Sequence, residues 1–145
     1  FQGLPHRLEK IYEDNDLQIV NNSKATNISA SLKAIENYDN IILILGGHAK
    51  QKDFKKIIKF KKKIKKIYLI GESARHIYSQ LKDKIDCHIS YNLQIAIEDI
   101  FFDIRKYSDF NTILLSPSCA SFDQYKNYQE RGEHFKKLIS RFNNE

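Results

Sequence analysis

The sequence contains no methionine and no tryptophan, and it has only two cysteines, two prolines and five glycines among 145 residues. Because it lacks methionine, it cannot start at a natural initiation codon, and we expect it to be a piece of a longer protein. No apolar run approaches the roughly 18 residues of a membrane helix, and the first residues lack the charged and apolar regions of a signal peptide. We therefore expect no membrane partner.

The few cysteines and histidines exclude two further classes of site. Cys87 and Cys119 form neither a CxxC pair nor a disulfide framework, and two isolated thiols are typical of a reducing cytosol. The five histidines are scattered without the spacing of metal ligands. We therefore predict a cytoplasmic protein whose chain holds no metal ion.

The net charge of +6 is concentrated in residues 50–66, which contain ten lysines. Within this segment Phe54, Ile57 and Ile58 follow helical spacing, which predicts an amphipathic helix with the lysines on its solvent face. Arginines interleaved with aromatic residues are absent, as is any known nucleic-acid-reading motif. The pattern thus favours a solvated helix face over a nucleic-acid surface.

Apolar runs and turn residues predict a series of short strands. The runs 41–45, 67–70 and 112–115 are apolar at nearly every position, which is typical of parallel strands that are covered on both faces. Further strands are predicted at 8–12 and 17–21, joined by a turn at 14–16, and at 87–89.

Helical periodicity appears between these runs. Asn27 and Asn92 are predicted to cap two of the helices, since asparagine favours that position. The helices are expected to bury residues 28, 32 and 35, then 74–81, 93–104 and finally 135–142. Alternation of strands and helices predicts an α/β fold: a Rossmann-like, mostly parallel, doubly wound sheet with helices on both faces.

Three polar segments follow predicted strands and precede predicted helices: 21–27, 46–50 and 116–121. Ligands of open α/β sheets bind at the carboxyl ends of the strands, where helix N-termini attract anions. Lysines and hydroxyl groups in these segments would suit a small carboxylate or phosphate, although the same residues could simply cap helices. Neither GxGxxG nor GxxxxGK[ST] is present, so the chain is not expected to bind a nucleoside triphosphate by itself.

Several motifs occur in one order across almost the whole chain. They are FQGLPHR at 1–7, NSKATN at 22–27, LGG at 45–47 with Lys50, LLSPSCASFDQY at 114–125 and RG at 131–132. Together they resemble the carboxyl-terminal domain of the Mur ligases, and within that family the branch that adds D-glutamate. The NSKATN and SPSCAS segments are specific, whereas a diglycine alone would be a weak signal.

The resemblance implies that residues 1–145 form a single Mur ligase carboxyl-terminal domain of a cytoplasmic, monomeric enzyme of peptidoglycan synthesis. The amino-terminal UDP-binding domain and the central domain, which binds ATP and Mg²⁺, would lie outside this chain. ATP would phosphorylate the carboxylate of UDP-N-acetylmuramoyl-L-alanine, and the amine of D-glutamate would then displace phosphate from the acyl phosphate. The domain alone is expected to be inactive.

The resemblance also implies which residues bind D-glutamate. Lys50 and Thr26 would bind the α-carboxylate, whereas Ser121 and the backbone N–H of Tyr128 would bind the side-chain carboxylate. Phe122 would lie beside them. Lysine and hydroxyl donors suit a dianion, because charge-assisted hydrogen bonds are strong.

A second group of residues is implied for the phosphate and the nucleotide. Lys24 and Ser23, as catalytic residues, would face the reacting phosphate or the nucleotide, and Arg7 and Asn22 would contact the nucleotide, with His6 assisting Arg7. The chain departs from the family at Asn22, where an acidic residue is usual. It also departs at position 51, a glutamine where a small residue is frequent.

Three other interpretations remain open at this point. The chain could belong to another member of the same superfamily, such as a different Mur ligase or a folylpolyglutamate synthase. It could be a non-enzymatic module that binds anions or nucleic acid through its lysines, in which case binding would weaken steeply with salt. It could also be a structural domain whose polar loops only cap helices.

Overall fold

The computed structural model describes residues 4–143, so Phe1, Gln2 and Gly3 of the first motif lie outside the described residues. Within this range six strands form the sheet: β1 (Glu9–Glu13), β2 (Leu17–Asn21), β3 (Ile41–Gly46), β4 (Ile64–Ile70), β5 (Cys87–Tyr91) and β6 (Asn111–Leu115). The same residues contain four α-helices: α1 (Ile28–Ile35), α2 (Ala74–Leu81), α3 (Leu93–Asp103) and α4 (Tyr128–Asn143).

The strands form one sheet in the order β1-β2-β6-β3-β4-β5. The hairpin of β1 and β2 is antiparallel, and every other neighbouring pair is parallel. The turn between the hairpin strands is held by Asp14, whose carboxylate accepts a hydrogen bond from the backbone N–H of Asp16 at 2.8 Å. This topology confirms the mostly parallel, doubly wound sheet expected from the sequence.

Each face of the sheet carries its own apolar core. Along β3, Ile41, Leu43 and Leu45 contribute to the core that also contains residues of α1 and α2. The alternate residues Ile42 and Ile44 belong to the core formed with α3 and α4. Side chains alternate across a strand, so an uninterrupted apolar strand supplies both cores, and the helices lie on both faces as predicted.

The two predicted N-caps are confirmed. The side chain of Asn27 accepts a hydrogen bond from the backbone N–H of Ala30, and that of Asn92 accepts one from Ile95, both at 2.9 Å. Each cap satisfies a donor that the first turn of a helix leaves without an intrahelical partner. None of the helices within residues 4–143 is long and apolar enough to cross a membrane.

The prediction of an amphipathic α-helix in the lysine-rich segment is wrong. The chain forms a short 3₁₀ helix, Lys55–Phe60, and enters β4 at Ile64, three residues earlier than the predicted strand. Phe54 and Ile57, spaced by three residues, are fully buried; this spacing suits the three-residue period of a 3₁₀ helix. The lysines at 52, 55, 56, 59, 61 and 62 are exposed to solvent, as expected.

Asp103 joins the end of α3 to the sheet. Its carboxylate accepts hydrogen bonds from the hydroxyl of Tyr68 at 2.6 Å and from the ammonium of Lys66 at 3.1 Å. Burial opposes ionisation of Asp103, but these two hydrogen bonds together with the charges of Lys66 and Lys106 outweigh it and hold the pKa of the carboxyl below its ordinary value. The ionised form therefore stabilises the fold.

We predict that Asp103→Asn lowers the free energy of unfolding at pH 7 by about 2 kcal/mol, because hydrogen bonds to a charged group are lost. Since the pKa is lower in the folded state, the contribution is present above the unfolded pKa of about 4 and is lost as pH falls through the folded pKa. Urea unfolding of the unsubstituted protein and of Asp103→Asn, from pH 7 to pH 3, measures whether their free energies of unfolding become equal as pH falls. Asp109→Asn is the control, because the Asp109 side chain is 69% exposed and its ion pair should contribute little. A pH-independent difference for Asp103→Asn would contradict the assignment.

Candidate functional site

Three polar loops meet at one edge of the sheet, as the sequence predicts. Strands β2, β6 and β3 are neighbours, and the loops 22–27, 116–121 and 46–50 follow their carboxyl ends. Parallel strands place these ends at the same edge, where the ligands of open α/β sheets bind. The tertiary structure therefore brings together polar residues that are up to about 100 positions apart in the chain.

Backbone hydrogen bonds hold two of these loops against each other. His48 and Ala120 exchange a pair of bonds, with the N–H of His48 donating to the Ala120 carbonyl at 2.8 Å and the reverse bond at 3.0 Å. The N–H of Gly46 donates to the carbonyl of Pro117 at 2.9 Å. The third loop joins through Asn22, whose N–H donates to Leu115 at 2.8 Å.

The diglycine permits this close approach. Gly46 and Gly47 have φ values of 128° and 138°, which disfavour any residue with a Cβ atom. A Cβ on Gly47 would lie 2.5 Å from the carbonyl oxygen of Ala120. Gly47 is therefore required by the contact between the two loops. Lys50 follows three residues later in the same loop.

A buried arginine on α4 forms hydrogen bonds to two of these loops, 22–27 and 116–121. Arg131 is 1% exposed; its guanidinium donates to the carbonyl of Ser23 at 2.6 Å, to the Ser23 hydroxyl at 2.9 Å and to the carbonyl of Cys119 at 2.9 Å. Burial lowers the pKa of Arg131 to about 10, so the group remains charged near neutral pH. Sequence analysis noted the residue only as part of a motif, because a buried arginine cannot be distinguished from an exposed one by helical spacing.

A cavity of about 300 Å³ lies where the three loops meet the start of α4. All five residues expected to bind D-glutamate line it: Lys50, Thr26, Ser121, Phe122 and Tyr128. They come from four separate segments of the sequence. Its remaining lining residues are Ala120, Asn127 and Gln129.

The donors around this cavity suit an anion. Lys50 is exposed, and the lysines that form ion pairs within the described residues are others, at positions 10, 63, 65, 66, 106 and 136. Tyr128 is the first residue of α4, so its N–H has no partner within the helix and belongs to the positive end of the helix dipole. Phe122 is 66% exposed and lies at the rim.

Sequence analysis missed Asn127, although a local signal was present. Its side chain accepts a hydrogen bond from the N–H of Glu130 at 2.8 Å, which caps α4. The carboxylate of Glu130 in turn accepts a bond from the N–H of Lys126 at 3.3 Å. Asparagine followed three residues later by glutamate is a typical start of a helix, and it would have placed Tyr128 at the first helical position.

A second, larger cavity of about 690 Å³ adjoins the first, and Thr26 lines both. Arg7, Asn22 and Lys24, all expected near the nucleotide or the phosphate, line this larger cavity. The ammonium of Lys24 lies 5.9 Å from the centre of the Tyr128 ring, between the two cavities. The smaller cavity is thus lined by the five residues expected to bind D-glutamate, and the larger one by three of the four expected at the phosphate and the nucleotide, while Thr26 lines both.

Two predicted residues have side chains that already have partners within the protein. The amide of Asn22 accepts a bond from the N–H of Leu8 at 3.1 Å and donates to the hydroxyl of Ser116 at 3.1 Å. Ser23 is fully buried, and its hydroxyl donates to the carbonyl of Tyr128 at 2.7 Å. The Ser23 side chain points into the interior and helps fasten its loop to α4, because Arg131 and Tyr128 provide its hydrogen-bond partners. The expected role of Ser23 at the phosphate or the nucleotide stays a prediction.

Neither cysteine nor metal chemistry is suggested by the described residues. No group of three or more histidine, cysteine, aspartate or glutamate side chains within residues 4–143 could hold a metal ion. Cys119 is fully buried, and burial raises the pKa of its thiol to about 11. Burial likewise raises the pKa of Cys87 to about 12.

Comparison with known proteins agrees with this geometry. Residues 6–119 match the family model described as "Mur ligase, glutamate ligase domain". The chain is 42% identical over 145 residues to the UDP-N-acetylmuramoylalanine–D-glutamate ligase of Prochlorococcus marinus, and the match covers 97% of this chain and 31% of that protein. The enzyme of the same name from Natranaerobius thermophilus is 41% identical over 144 residues, with coverage of 96% and 30%. The chain thus spans about a third of the length of these curated relatives.

A solved structure shares the fold. The crystal structure of the UDP-N-acetylmuramate–alanine ligase MurC from Thermotoga maritima superposes with a TM-score of 0.65 at 12% sequence identity. The match covers 99% of this chain and 31% of that chain. At this level of identity the similarity concerns the fold alone, and it confirms the Rossmann-like α/β architecture.

We predict that Arg131→Met lowers the free energy of unfolding by about 3 kcal/mol, because two buried carbonyls and a hydroxyl lose their charged donor. Arg141→Met is the matched control, since Arg141 is exposed on the same helix and its replacement should change stability by less than about 0.5 kcal/mol. Urea unfolding measures the free energy of unfolding of each variant. Equal stability of the two would show that the Arg131 contacts contribute nothing.

We also predict that both thiols react slowly in the folded protein at pH 8. With pKa values of about 11 and 12, only about one thiol in a thousand or fewer is ionised, and the thiolate is the reactive form. Reaction with a chromogenic disulfide should proceed over hours in the folded state and titrate two thiols rapidly in guanidinium. Reaction of Cys119 within seconds in the folded protein would contradict its burial.

Proposed function

The chain belongs to the Mur ligase family, and on this basis we propose that it is the amino-acid-binding domain of a ligase that adds D-glutamate to UDP-N-acetylmuramoyl-L-alanine in peptidoglycan synthesis. ATP would supply the energy, and an acyl phosphate would be the intermediate. The remaining two thirds of the protein, judged by the length of its relatives, would hold the UDP-linked substrate and most of the ATP site.

One observation supports this proposal above all others. The five residues expected to bind D-glutamate come from four segments of the chain, and they line one cavity of about 300 Å³. Sequence order alone does not require such a convergence. A volume of this size is at the low end of small-molecule sites and suits an amino acid better than a nucleotide.

The donors that line this cavity suit the two carboxylates of glutamate. Lys50 and Thr26 bind the α-carboxylate, and Ser121 together with the N–H of Tyr128 binds the side-chain carboxylate. Thr26 also lines the larger cavity, so the amine beside the α-carboxylate faces that cavity. Fixing the amine there raises its effective concentration at the acyl carbon.

The chemical step then requires little from this chain beyond orientation. The amine nitrogen attacks the carbonyl carbon of the acyl phosphate, the new C–N bond forms, the C–O bond to phosphorus breaks, and inorganic phosphate leaves. The ammonium group of the amino acid loses one proton before the attack and a second one after it, and solvent and the departing phosphate accept them. Lys24, between the two cavities, neutralises part of the charge of the departing phosphate.

ATP and Mg²⁺ would be bound mainly by the rest of the protein. The larger cavity is lined by Arg7, Lys24 and Lys33, and these cationic side chains suit phosphate groups but repel a metal ion. Mg²⁺ prefers carboxylate and water oxygens, and no aspartate or glutamate is among the residues that line this cavity. Arg7 would contact the nucleotide from this side, and Asn22 would do so with the one amide hydrogen and the oxygen lone pair that its internal bonds leave free.

The alternatives are less well supported. A ligase for a neutral amino acid would need no second anion-binding group besides Lys50, whereas Ser121 and the N–H of Tyr128 supply one. Nucleic-acid binding would use the exposed lysines of 50–66, but these lie on a 3₁₀ helix and flanking turns without exposed large aromatic residues. The monomeric state, the cytoplasmic location and the inactivity of the isolated domain remain predictions.

We expect Lys50→Ala in the full-length protein to lower kcat/KM for D-glutamate by about 100-fold, because a charge-assisted hydrogen bond to the substrate is lost. Lys56→Ala is the control, since Lys56 is exposed in the same lysine-rich segment but does not line the cavity. The measurement is phosphate release with ATP, Mg²⁺, UDP-N-acetylmuramoyl-L-alanine and either D- or L-glutamate.

The same assay tests the proposal as a whole. Phosphate release that depends on D-glutamate and is retained in Lys56→Ala would support it. Release with L-glutamate, with a different amino acid or without any amino acid would contradict the proposed substrate. ATP-dependent ligation by residues 1–145 alone would contradict the proposal that the rest of the protein binds the UDP-linked substrate and most of the ATP.

A further inference from the structure

Gln51 connects the lysine loop to the start of α1. Its side-chain oxygen accepts a hydrogen bond from the backbone N–H of Ile28 at 3.1 Å. Ile28 is the first residue of α1, so this N–H is one of the donors that the helix itself cannot satisfy. Gln51 therefore acts as a capping group supplied by a distant part of the chain.

Two loops share the capping of this helix. Asn27 caps it locally by accepting a bond from the N–H of Ala30 at 2.9 Å, and Gln51 satisfies the N–H at the first helical position. A local cap fixes only the chain that leads into the helix. The bond from Gln51 adds a cross-link between residues that are 23 positions apart.

The cross-link lies close in the chain to two residues that line the small cavity. Lys50 immediately precedes Gln51, and Thr26 lies two residues before Ile28; both line the cavity. Other backbone hydrogen bonds from loop 46–50 to neighbouring loops go to loop 116–121 and to Ser73. The Gln51 hydrogen bond therefore links the segments of Lys50 and Thr26 directly, whereas the link through loop 116–121 and Arg131 is indirect.

We infer that Gln51 is a positioning residue for the acceptor amino acid, which sets the distance between the Lys50 ammonium and the Thr26 hydroxyl. The inference rests on the proposed function, in which these two groups bind one α-carboxylate. Gln51 does not line either cavity and acts only through its neighbours. Two donors held at a fixed distance bind a carboxylate better than two mobile ones, because less conformational freedom is lost on binding.

The chain offers a matched control for this hydrogen bond. The side-chain oxygen of Gln80 accepts a bond at 2.8 Å from the N–H of Phe54, just before the 3₁₀ helix Lys55–Phe60. The chemistry and the topology are the same as for Gln51, since a glutamine caps a helix start 26 positions away. Gln80 lines neither cavity, so its loss affects stability without affecting Lys50 and Thr26 directly.

The experiment compares Gln51→Met and Gln80→Met in the full-length protein, because methionine has a similar length but cannot accept this bond as well. The phosphate-release assay is run with D-glutamate and ATP varied separately, and thermal unfolding is measured for each variant. We expect Gln51→Met to raise KM for D-glutamate by about fivefold with KM for ATP unchanged. Gln80→Met should leave both KM values unchanged, and the two variants should lose similar amounts of stability.

The outcomes separate this inference from the proposed function. If both variants keep the KM for D-glutamate of the unsubstituted protein, or if Gln51→Met raises the KM values for D-glutamate and ATP equally, Gln51 is not a positioning residue. Both results leave the proposed function intact. If the unsubstituted protein itself shows no dependence on D-glutamate, the proposed function fails and the inference fails with it.

Discussion

The hydrogen bonds of one buried guanidinium hold the candidate site together. Arg131 is the largest fully buried side chain, and it bonds to two backbone carbonyls and one hydroxyl in loops that follow different strands. A buried charge is costly unless its donors are satisfied, so these loops must remain in place around it. The arginine belongs to α4, whose first residue faces the small cavity, and the same contact therefore fixes the loops relative to the helix start.

The two adjoining cavities differ in the side chains that line them. The smaller one is surrounded by a lysine, two hydroxyl-bearing residues and a helix N-terminus, and the larger one by cationic side chains. Thr26 lies between them. A dianionic amino acid bound in the first cavity would present its amine toward the second, where a phosphorylated substrate would lie. In the proposed function the chain would position the nucleophile and the rest of the protein would supply the electrophile, and that function requires neither a phosphate loop nor a metal cluster among the described residues.

Most lysines of this chain lie in one segment, and only one lysine of that segment lines the small cavity. Residues 50–66 contain ten lysines and one aspartate, more positive charge than the net +6 of the chain, so the remainder is net acidic. The structure divides these lysines by role. Lys50 lines the cavity, Lys63, Lys65 and Lys66 pair with aspartates, and the others are exposed. Net charge is therefore a poor indicator of what the small cavity would bind, because only one of these ten lysines lines it.

The sequence by itself determined the α/β class, the order of strands and helices, the asparagine caps at Asn27 and Asn92, and the three loops at the carboxyl edge. These features follow from local periodicity and residue chemistry, which act over a few neighbouring positions. The 3₁₀ helix at Lys55–Phe60 could not be predicted, because the length of that element depends on where β4 must pair with β3. The inward orientation of Ser23, the burial of Arg131 and the cross-link from Gln51 to Ile28 were likewise decided only by the tertiary structure, since each depends on partners that are distant in the chain and that only packing brings within hydrogen-bond distance.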